Sequence, residues 1–230
     1  MYNRYAIYFT PPPGTFSRLG AAWLGWDIKT GFTVVQPDYS GVNVEKITRR
    51  PRKYGLHGTI KAPFRLADGQ TENGLADALE TFCKDRRPVA LDGLALSRLG
   101  RFLALTPQGD TRALRNLADD TVERFDEFRA PLSDEEFARK NSPALTEQQR
   151  IYLRYFGYPH VKEYFRFHIT LTGPLAPEQS CSISSLLHDY LDPASLSPFI
   201  LDSLSLCGEA SDGYFHEISR FALGKASNCL

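Results

Sequence analysis

The chain has 230 residues, and its 27 Lys and Arg residues balance 27 Asp and Glu residues to a formal net charge of zero. This balance excludes proteins that hold long nucleic acids by their overall positive charge, and the 42% of apolar residues excludes a disordered chain of high net charge. Recognition of an anion must therefore depend on a local concentration of positive charge.

The hydrophobic periodicity predicts two similar sets of elements, each with a strand, a helix and two further strands. A strand at residues 4–10 precedes the first set. The first set comprises a strand through His57 that ends at Pro63, a helix at 71–84 and strands at 89–96 and 101–106. A polar helical region at 110–129 and 146–156 connects it to the second set. The second set comprises a strictly alternating strand at 164–172, a helix at 177–191 and strands at 199–206 and 214–223.

A duplication underlies the two sets. Residues 57–64 read His-Gly-Thr-Ile-Lys-Ala-Pro-Phe, and residues 168–175 read His-Ile-Thr-Leu-Thr-Gly-Pro-Leu. A second echo follows downstream, where Leu-Asp-Gly-Leu-Ala-Leu at 91–96 corresponds to Leu-Asp-Ser-Leu-Ser-Leu at 201–206. Two echoes at nearly the same offset indicate two related units rather than a solenoid, which needs three or more repeats.

These elements predict an α+β fold with two pseudo-symmetric lobes, each a mostly antiparallel sheet with helices on its outer face. A central cleft between the lobes carries the paired His-x-Thr motifs. We expect a single bilobal domain over residues 1–230, with lobes at roughly 1–110 and 111–230 between which strands can exchange.

The two motifs predict a catalytic pair. Residues two apart on a strand point to the same side, so His57 with Thr59, and His168 with Thr170, each project an imidazole and a hydroxyl together. Two histidines divide the work of general base and general acid near neutral pH, and two hydroxyls hold the non-bridging oxygens of a phosphate. The pattern predicts cleavage or transesterification of a phosphodiester, with either histidine as the base.

Cationic side chains close to the motifs are candidates for binding the phosphate. Lys61 shares the predicted face of His57, and Arg166 shares that of His168, so we expect both to stabilise negative charge. Tyr54 has the wrong parity for this face unless Gly55 breaks the strand register. A basic cluster at residues 46–53 is either a solvated loop or a positive rim that attracts an anionic substrate.

The sequence predicts neither a cofactor nor a metal site, because no third histidine or carboxylate lies beside either motif to complete a zinc site. The four cysteines are widely spaced, which favours free thiols. No stretch approaches the roughly 20 apolar residues of a membrane-spanning helix, and the apolar run at 5–9 is too short for a signal peptide. We expect a cytoplasmic protein with no membrane contact.

The paired motifs His57-Gly58-Thr59-Ile60 and His168-Ile169-Thr170-Leu171 resemble the signature of the two-histidine (2H) phosphoesterase superfamily, which includes RNA ligase/cyclic phosphodiesterase enzymes. Segments at 4–9, 19–25, 54–66 and 165–173 are similar to an uncharacterised bacterial branch often encoded with phosphonate-utilisation genes. In that branch a larger residue is common at Gly58, which implies a change in local packing here. The resemblance implies a metal-independent phosphodiesterase acting on a small cyclic phosphate.

Three functions are consistent with these observations. The first is the cyclic phosphodiesterase, with a small-molecule phosphodiester preferred over an RNA end as the substrate. The second is a non-catalytic module that binds a phosphorylated ligand or an RNA end in the same cleft. The third is a partner subunit of a phosphonate-metabolism assembly whose cleft is idle, since a motif by itself does not fix a function.

Overall fold

The computed structural model of the protein describes residues 2–224, so Cys229 lies outside the described residues. Within this range the chain forms seven α-helices and eleven β-strands. The helices are α1 (Thr15–Leu24), α2 (Val44–Arg52), α3 (Glu72–Lys84), α4 (Arg112–Arg124), α5 (Asp134–Lys140), α6 (Glu147–Phe156) and α7 (Pro177–Tyr190). The strands are β1 (Arg4–Phe9), β2 (Trp26–Asp27), β3 (Phe32–Thr33), β4 (Gly58–Phe64), β5 (Val89–Leu91), β6 (Gly93–Leu99), β7 (Phe102–Gln108), β8 (Ile169–Thr170), β9 (Phe199–Leu201), β10 (Ser203–Glu209) and β11 (Phe215–Ala222).

Seven of the strands form one sheet in the order β11-β10-β1-β4-β8-β7-β6. Every neighbouring pair in it is antiparallel. This confirms the α+β class and the antiparallel sheet. The two separate sheets predicted from the repeat are not seen among the described residues, because the strands of both units join in this one sheet.

The two units contribute to the sheet crosswise. The β6–β7 hairpin follows the first motif along the chain, yet β7 pairs with β8 of the second motif. The β10–β11 hairpin follows the second motif and lies on the side of β4, with β1 between them. The short strands β5 and β9, which end where the downstream echo begins, pair with each other. Neither unit could therefore complete its part of the sheet alone.

The two faces of the sheet differ, and β1 shows the division. Ile7 and Phe9 belong to the main hydrophobic core, to which α3, α4 and α7 also contribute. Tyr8 points to the opposite face and packs with Trp26 and Phe215. Successive side chains on a strand alternate between faces, so the helix-covered core occupies one face and leaves part of the other for the motif residues.

Two of the predicted helices, α3 and α6, are confirmed, and each begins at a side-chain cap. Thr71 accepts a hydrogen bond from the N–H of Gly74 at the start of α3, and Thr146 accepts one from Gln149 at the start of α6. Each cap satisfies one of the N–H groups that a helix start leaves unpaired. The basic cluster at 46–53 lies mostly in α2 rather than in a loop. The hydrophobic periodicity predicted neither this helix nor α1.

The long strand predicted at 164–172 is wrong in extent, because β8 covers only Ile169 and Thr170. At its N-terminal end the chain forms a 3-10 helix at Lys162–Tyr164 instead of a strand, and at its C-terminal end a side chain interrupts the pairing with β7. The N–H of Leu103 on β7 donates to the hydroxyl of Thr172 instead of to a backbone carbonyl, which interrupts the ladder. The alternation of burial nevertheless persists, since Phe167, Ile169 and Leu171 are all buried.

Among the described residues, no helix combines the length and the apolar character needed to cross a lipid bilayer. Three cysteines are described, and all of them are free: Cys83 and Cys207 are buried, and Cys181 is exposed.

Gly58 permits the close approach of the two motif segments. A Cβ atom added there would lie 2.3 Å from two ring carbons of Phe167. Gly58→Ala is therefore expected to lower the free energy of unfolding by about 1–3 kcal/mol, as overpacking does. Urea denaturation measures the loss. The double variant Gly58→Ala/Phe167→Leu should lose less than the sum of the two single losses, and strict additivity would contradict the predicted contact.

Candidate active site

The pairing of β4 with β8 brings the two motifs together. Gly58 lies opposite Ile169 in an antiparallel register. The adjacent positions then place His57 beside Thr170 and Thr59 beside His168, because antiparallel partners advance in opposite directions. Side chains opposite each other in such a pair have Cβ atoms about 4.5–5.5 Å apart. All four motif side chains are only partly buried and lie on the face opposite the buried Gly58 and Ile169 positions.

The two imidazoles are held in the same way. Nδ1 of His57 lies 3.0 Å from the carbonyl oxygen of Gly55, and Nδ1 of His168 lies 2.8 Å from that of Arg166. A carbonyl only accepts hydrogen bonds, so each Nδ1 is assigned as the protonated nitrogen that donates. Both histidines therefore keep Nε2 for chemistry, and Nε2 of His57 lies 3.2 Å from the hydroxyl of Thr59.

Aromatic rings enclose His57. The ring of Tyr8 lies 4.1 Å from its imidazole between centroids, and the ring of Tyr54 lies at 5.8 Å. This burial lowers the pKa of His57 to about 4, and the nearby His168 lowers it further, against the hydrogen bond to Gly55 that raises it. The influence of His168 is consistent with the short distance between the motifs. His57 is neutral at pH 7 and able to accept a proton.

Two cavities adjoin the motif residues. One, of about 470 Å³, is lined by Thr59 and His168. The other, of about 250 Å³, is lined by His57, Thr170 and Tyr54. Each cavity thus takes the histidine of one motif and the threonine of the other, as the β4–β8 register requires.

Lys61 does not belong to this site, and its predicted place on the His57 face is wrong. The pairing of β1 with β4 is Tyr8 to Thr59 but Ile7 to Lys61, so β4 contains an irregularity that shifts its register. This bulge turns the side chain of Lys61 to the other face, because partners in a sheet share a face. The ammonium group is buried and donates to the carbonyl oxygen of Val122 at 3.1 Å.

The remaining predicted residues lie beside the motifs. Arg166 is exposed and lines the larger cavity with His168. Gly55 has a φ of +64°, which interrupts the alternation of the strand between Tyr54 and His57. This is the break in register under which the sequence predicts that Tyr54 lies beside His57. Of the basic cluster, Arg52 is largely structural, since it bonds the carbonyl oxygen of Leu24 at 2.9 Å together with other groups of the fold.

Two further residues, Tyr8 and His160, lie at the site although they belong to neither motif. Tyr8 is fully buried against His57, and its signal was its alternation with Ile7 and Phe9 along β1. His160 lines the larger cavity, and its Nδ1 accepts from the amide of Gln149 at 3.2 Å. Burial lowers the pKa of His160, and His168 lowers it further. No sequence pattern marked His160, because a turn brings it to the cavity.

The arrangement supplies two imidazole Nε2 atoms, two hydroxyls and a nearby guanidinium. These groups can accept and donate protons and bind an anion between them. Within residues 2–224, no group of three or more His, Cys, Asp or Glu side chains has the arrangement of a metal site.

The family model described as "Protein of unknown function (DUF1045)" matches residues 59–216. Two curated relatives carry the name ribose 1,5-bisphosphate phosphokinase PhnN. The protein of Janthinobacterium sp. (strain Marseille) is 32% identical over 92% of this chain and 48% of its own length. That of Laribacter hongkongensis (strain HLHK9) is 33% identical over 94% of this chain and 51% of its own. The chain thus spans about half the length of the curated relatives it matches.

The matches among solved structures have low sequence identity to this chain. The protein TT0787 of Thermus thermophilus has a TM-score of 0.45 and 16% identity, over 96% of this chain and 97% of that one. LigT of E. coli, crystallised with NADP+, has a TM-score of 0.44 and 15% identity, over 97% of this chain and 98% of that one.

Burial lowers the pKa of Lys61 to about 8 from its ordinary 10.5, while Asp126 opposes the shift. The unfolded chain therefore binds this proton more tightly, and stability must rise with pH between these two values. Relative to Lys61→Met, the native protein should gain at most about 3 kcal/mol of unfolding free energy across this window. Urea denaturation of both proteins at pH 7, 8, 9 and 10 measures the gain, and a constant difference between them would contradict it.

Proposed function

The chain belongs to the DUF1045 family of proteins of unknown function, and from the geometry of its paired histidines we propose that it is a metal-independent phosphodiesterase of the 2H type. It cleaves a small cyclic phosphate or a related phosphodiester by general acid–base catalysis between His57 and His168. We treat the chain as one bilobal catalytic domain that requires no cofactor.

One observation carries the proposal: both histidines donate from Nδ1 to the carbonyl of the residue two positions earlier, Gly55 or Arg166. A histidine held for packing alone has no need of this arrangement. Two of them on paired strands direct two Nε2 atoms to a substrate between them, and Nε2 of His57 also lies 3.2 Å from the Thr59 hydroxyl. That is the requirement of a reaction in which one proton is removed and another is delivered.

We assign the base to His57. Its imidazole is neutral at pH 7 because burial against Tyr8 and Tyr54 lowers its pKa. Nε2 of His57 takes the proton of a water molecule or of a substrate hydroxyl, and the resulting oxygen attacks phosphorus. The bond from phosphorus to the leaving oxygen breaks, and protonated His168 donates a proton to that oxygen from Nε2. Each turnover thus leaves His57 protonated and His168 deprotonated, and proton exchange with solvent returns both to their starting states.

The phosphate oxygens need stabilisation as the attack proceeds, because negative charge increases on them. Thr59 and Thr170 each have a hydroxyl that can donate to a non-bridging oxygen, and Arg166 adds a charge-assisted donor on the His168 side. Lys61 has no part in this scheme, since its ammonium is buried beneath the sheet.

We propose a phosphorylated sugar derivative as the substrate class, in preference to an RNA end. The cavity of about 470 Å³ has the size of a small-ligand site, for which about 300–1,000 Å³ is usual, and the chain has no net positive charge. The curated relatives are named for a kinase of ribose 1,5-bisphosphate, which is consistent with sugar-phosphate chemistry. A place in phosphonate metabolism is part of the proposal and depends on the sequence resemblance.

His57→Ala and His168→Ala should each lower kcat/KM for a 2′,3′-cyclic nucleotide by about 10²–10⁴-fold, the usual worth of a general acid or base. The measurement is product formation from a panel of cyclic phosphates, with and without EDTA. His188→Ala is the matched control, because His188 is exposed on α7 and lines neither cavity.

Full activity in both variants would rule out the proposed roles. Binding of cyclic phosphates without any product, in a protein that is correctly folded by circular dichroism, would favour the non-catalytic binding module. Loss of all activity on addition of EDTA, with recovery on return of a metal, would contradict the metal-independent mechanism.

The pH dependence tests the assignment of the base. A base acts when deprotonated, so kcat/KM of the native enzyme should rise with pH through the His57 pKa of about 4, well below the ordinary histidine value of about 6.5. Tyr54→Ala exposes the imidazole to water and should move this limb to higher pH. An acid limb near 6.5 in the native enzyme, unchanged by Tyr54→Ala, would show that His57 is not an enclosed base.

A further inference from the structure

A third cavity, of about 570 Å³, lies between α2 and α7. Arg50, Gly173 and Pro174 line both this cavity and the smaller one that contains His57. The two cavities are therefore neighbours, and a ligand bound at His57 can extend into the third cavity. We call the third cavity the α2–α7 pocket.

Positive charge without partners distinguishes the α2–α7 pocket. Lys46, Arg49 and Arg50 line it, and no carboxylate does. All three side chains are exposed, and within residues 2–224 none of them forms an ion pair or a side-chain hydrogen bond. Gln179 and Ser182 of α7 add polar groups on the opposite wall. Three free cations around one concave surface concentrate a positive potential there.

Another cavity lined by several cations differs in both respects. It has a volume of only about 30 Å³, which is the room of about one water molecule. Four of its cations have acidic partners: Arg4 with Glu209, Arg65 with Glu136, and Lys61 and Arg129 with Asp126. Four of the six cations that line this cavity are thus paired within the fold, whereas none of the three cations of the α2–α7 pocket forms an ion pair among residues 2–224.

The fold holds α2 in place beside the catalytic strands. The N–H of Gly173, three residues after Thr170, donates to the carbonyl oxygen of Ile47 at 2.6 Å. Val44 and Thr48 are buried on the inner side of α2. Its basic side chains therefore lie on the outer side, at the pocket. The distance between the cations and the motif residues is therefore set by backbone contacts and does not depend on a mobile loop.

We propose that the α2–α7 pocket binds a second phosphate of the substrate, so that the enzyme prefers phosphodiesters carrying an additional phosphate over those with a single one. The inference rests on the proposed function and deepens it. The scissile phosphate lies at His57 and His168, and the second phosphate lies among Lys46, Arg49 and Arg50. The second phosphate can be the monoester of a small metabolite or the preceding diester of an RNA end, and the same cations recognise both.

Three substrates measure the preference and identify its source. They are adenosine 2′,3′-cyclic phosphate with a free 5′-hydroxyl, the same compound with a 5′-phosphate, and a diadenosine dinucleotide ending in a 2′,3′-cyclic phosphate. Because the second phosphate meets up to three unpaired cations, kcat/KM should rise about tenfold with it, which corresponds to about 1.4 kcal/mol. An advantage confined to the monoester indicates a metabolite, and one confined to the dinucleotide indicates an RNA end.

The double variant Lys46→Ala/Arg49→Ala should reduce this ratio of kcat/KM values towards one. Arg50 is left unchanged because it also lines the His57 cavity. The control is Arg87→Ala/Arg115→Ala, which removes the same charge at two exposed positions outside the α2–α7 pocket, and it should keep the ratio. Equal kcat/KM for the three substrates, or a ratio unchanged in the first double variant, would overturn the inference while leaving the phosphodiesterase intact.

A binding measurement separates failure of this inference from failure of the proposed function. Adenosine 3′,5′-bisphosphate and adenosine 3′-phosphate are titrated into the native protein and both double variants by calorimetry, which needs no turnover. Should no substrate be cleaved, tighter binding of the bisphosphate that only Lys46→Ala/Arg49→Ala abolishes still supports the pocket. Equal affinities for the two nucleotides, or an equal loss in both double variants, would refute it.

Discussion

The antiparallel pairing of Gly58 with Ile169 is the contact on which the site depends. It is the junction between the strands of the two repeated units, and the motif residues on either side follow from its register. Shifting this pairing by one residue would turn a motif to the other face of the sheet. Burial of the apolar side chains of β4 and β8 therefore fixes the register and with it the face on which the motif residues lie. The absence of a side chain at Gly58 leaves room for Phe167, whose ring anchors the second motif segment in the core.

Crosswise pairing explains why the duplicated sequence does not produce two sheets. Each hairpin lies on the side of the other unit's motif, and the short strands β5 and β9 pair across the repeat. The two motif strands thereby become central strands instead of edges, which removes the liability of an exposed edge. The same arrangement makes the site a joint product of both halves of the chain, which is why no single segment contains it.

Charge in this neutral protein is divided between two kinds of environment. Lys61 is withdrawn into the fold near Asp126, where burial determines its pKa. Lys46 and Arg49 stay on the solvent side of α2, where no acidic side chain within residues 2–224 pairs with them. Buried ions cost free energy unless paired, whereas exposed ones attract anions over the distance that salt screening allows. The zero net charge therefore conceals a cationic surface beside the histidines, on a scale that suits a small anion.

The sequence by itself determined the elements and chemistry that depend on local order: the two His-x-Thr motifs, the alternation around them, and the helices capped at Thr71 and Thr146. Tertiary structure decided what depends on distant strands. The irregular pairing of β1 with β4 moved Lys61 to the core, and the positive φ of Gly55 brought Tyr54 to His57. Period-two alternation is a property of one strand, whereas bulges, ladder ends and ring enclosure arise from partners that lie far away along the chain.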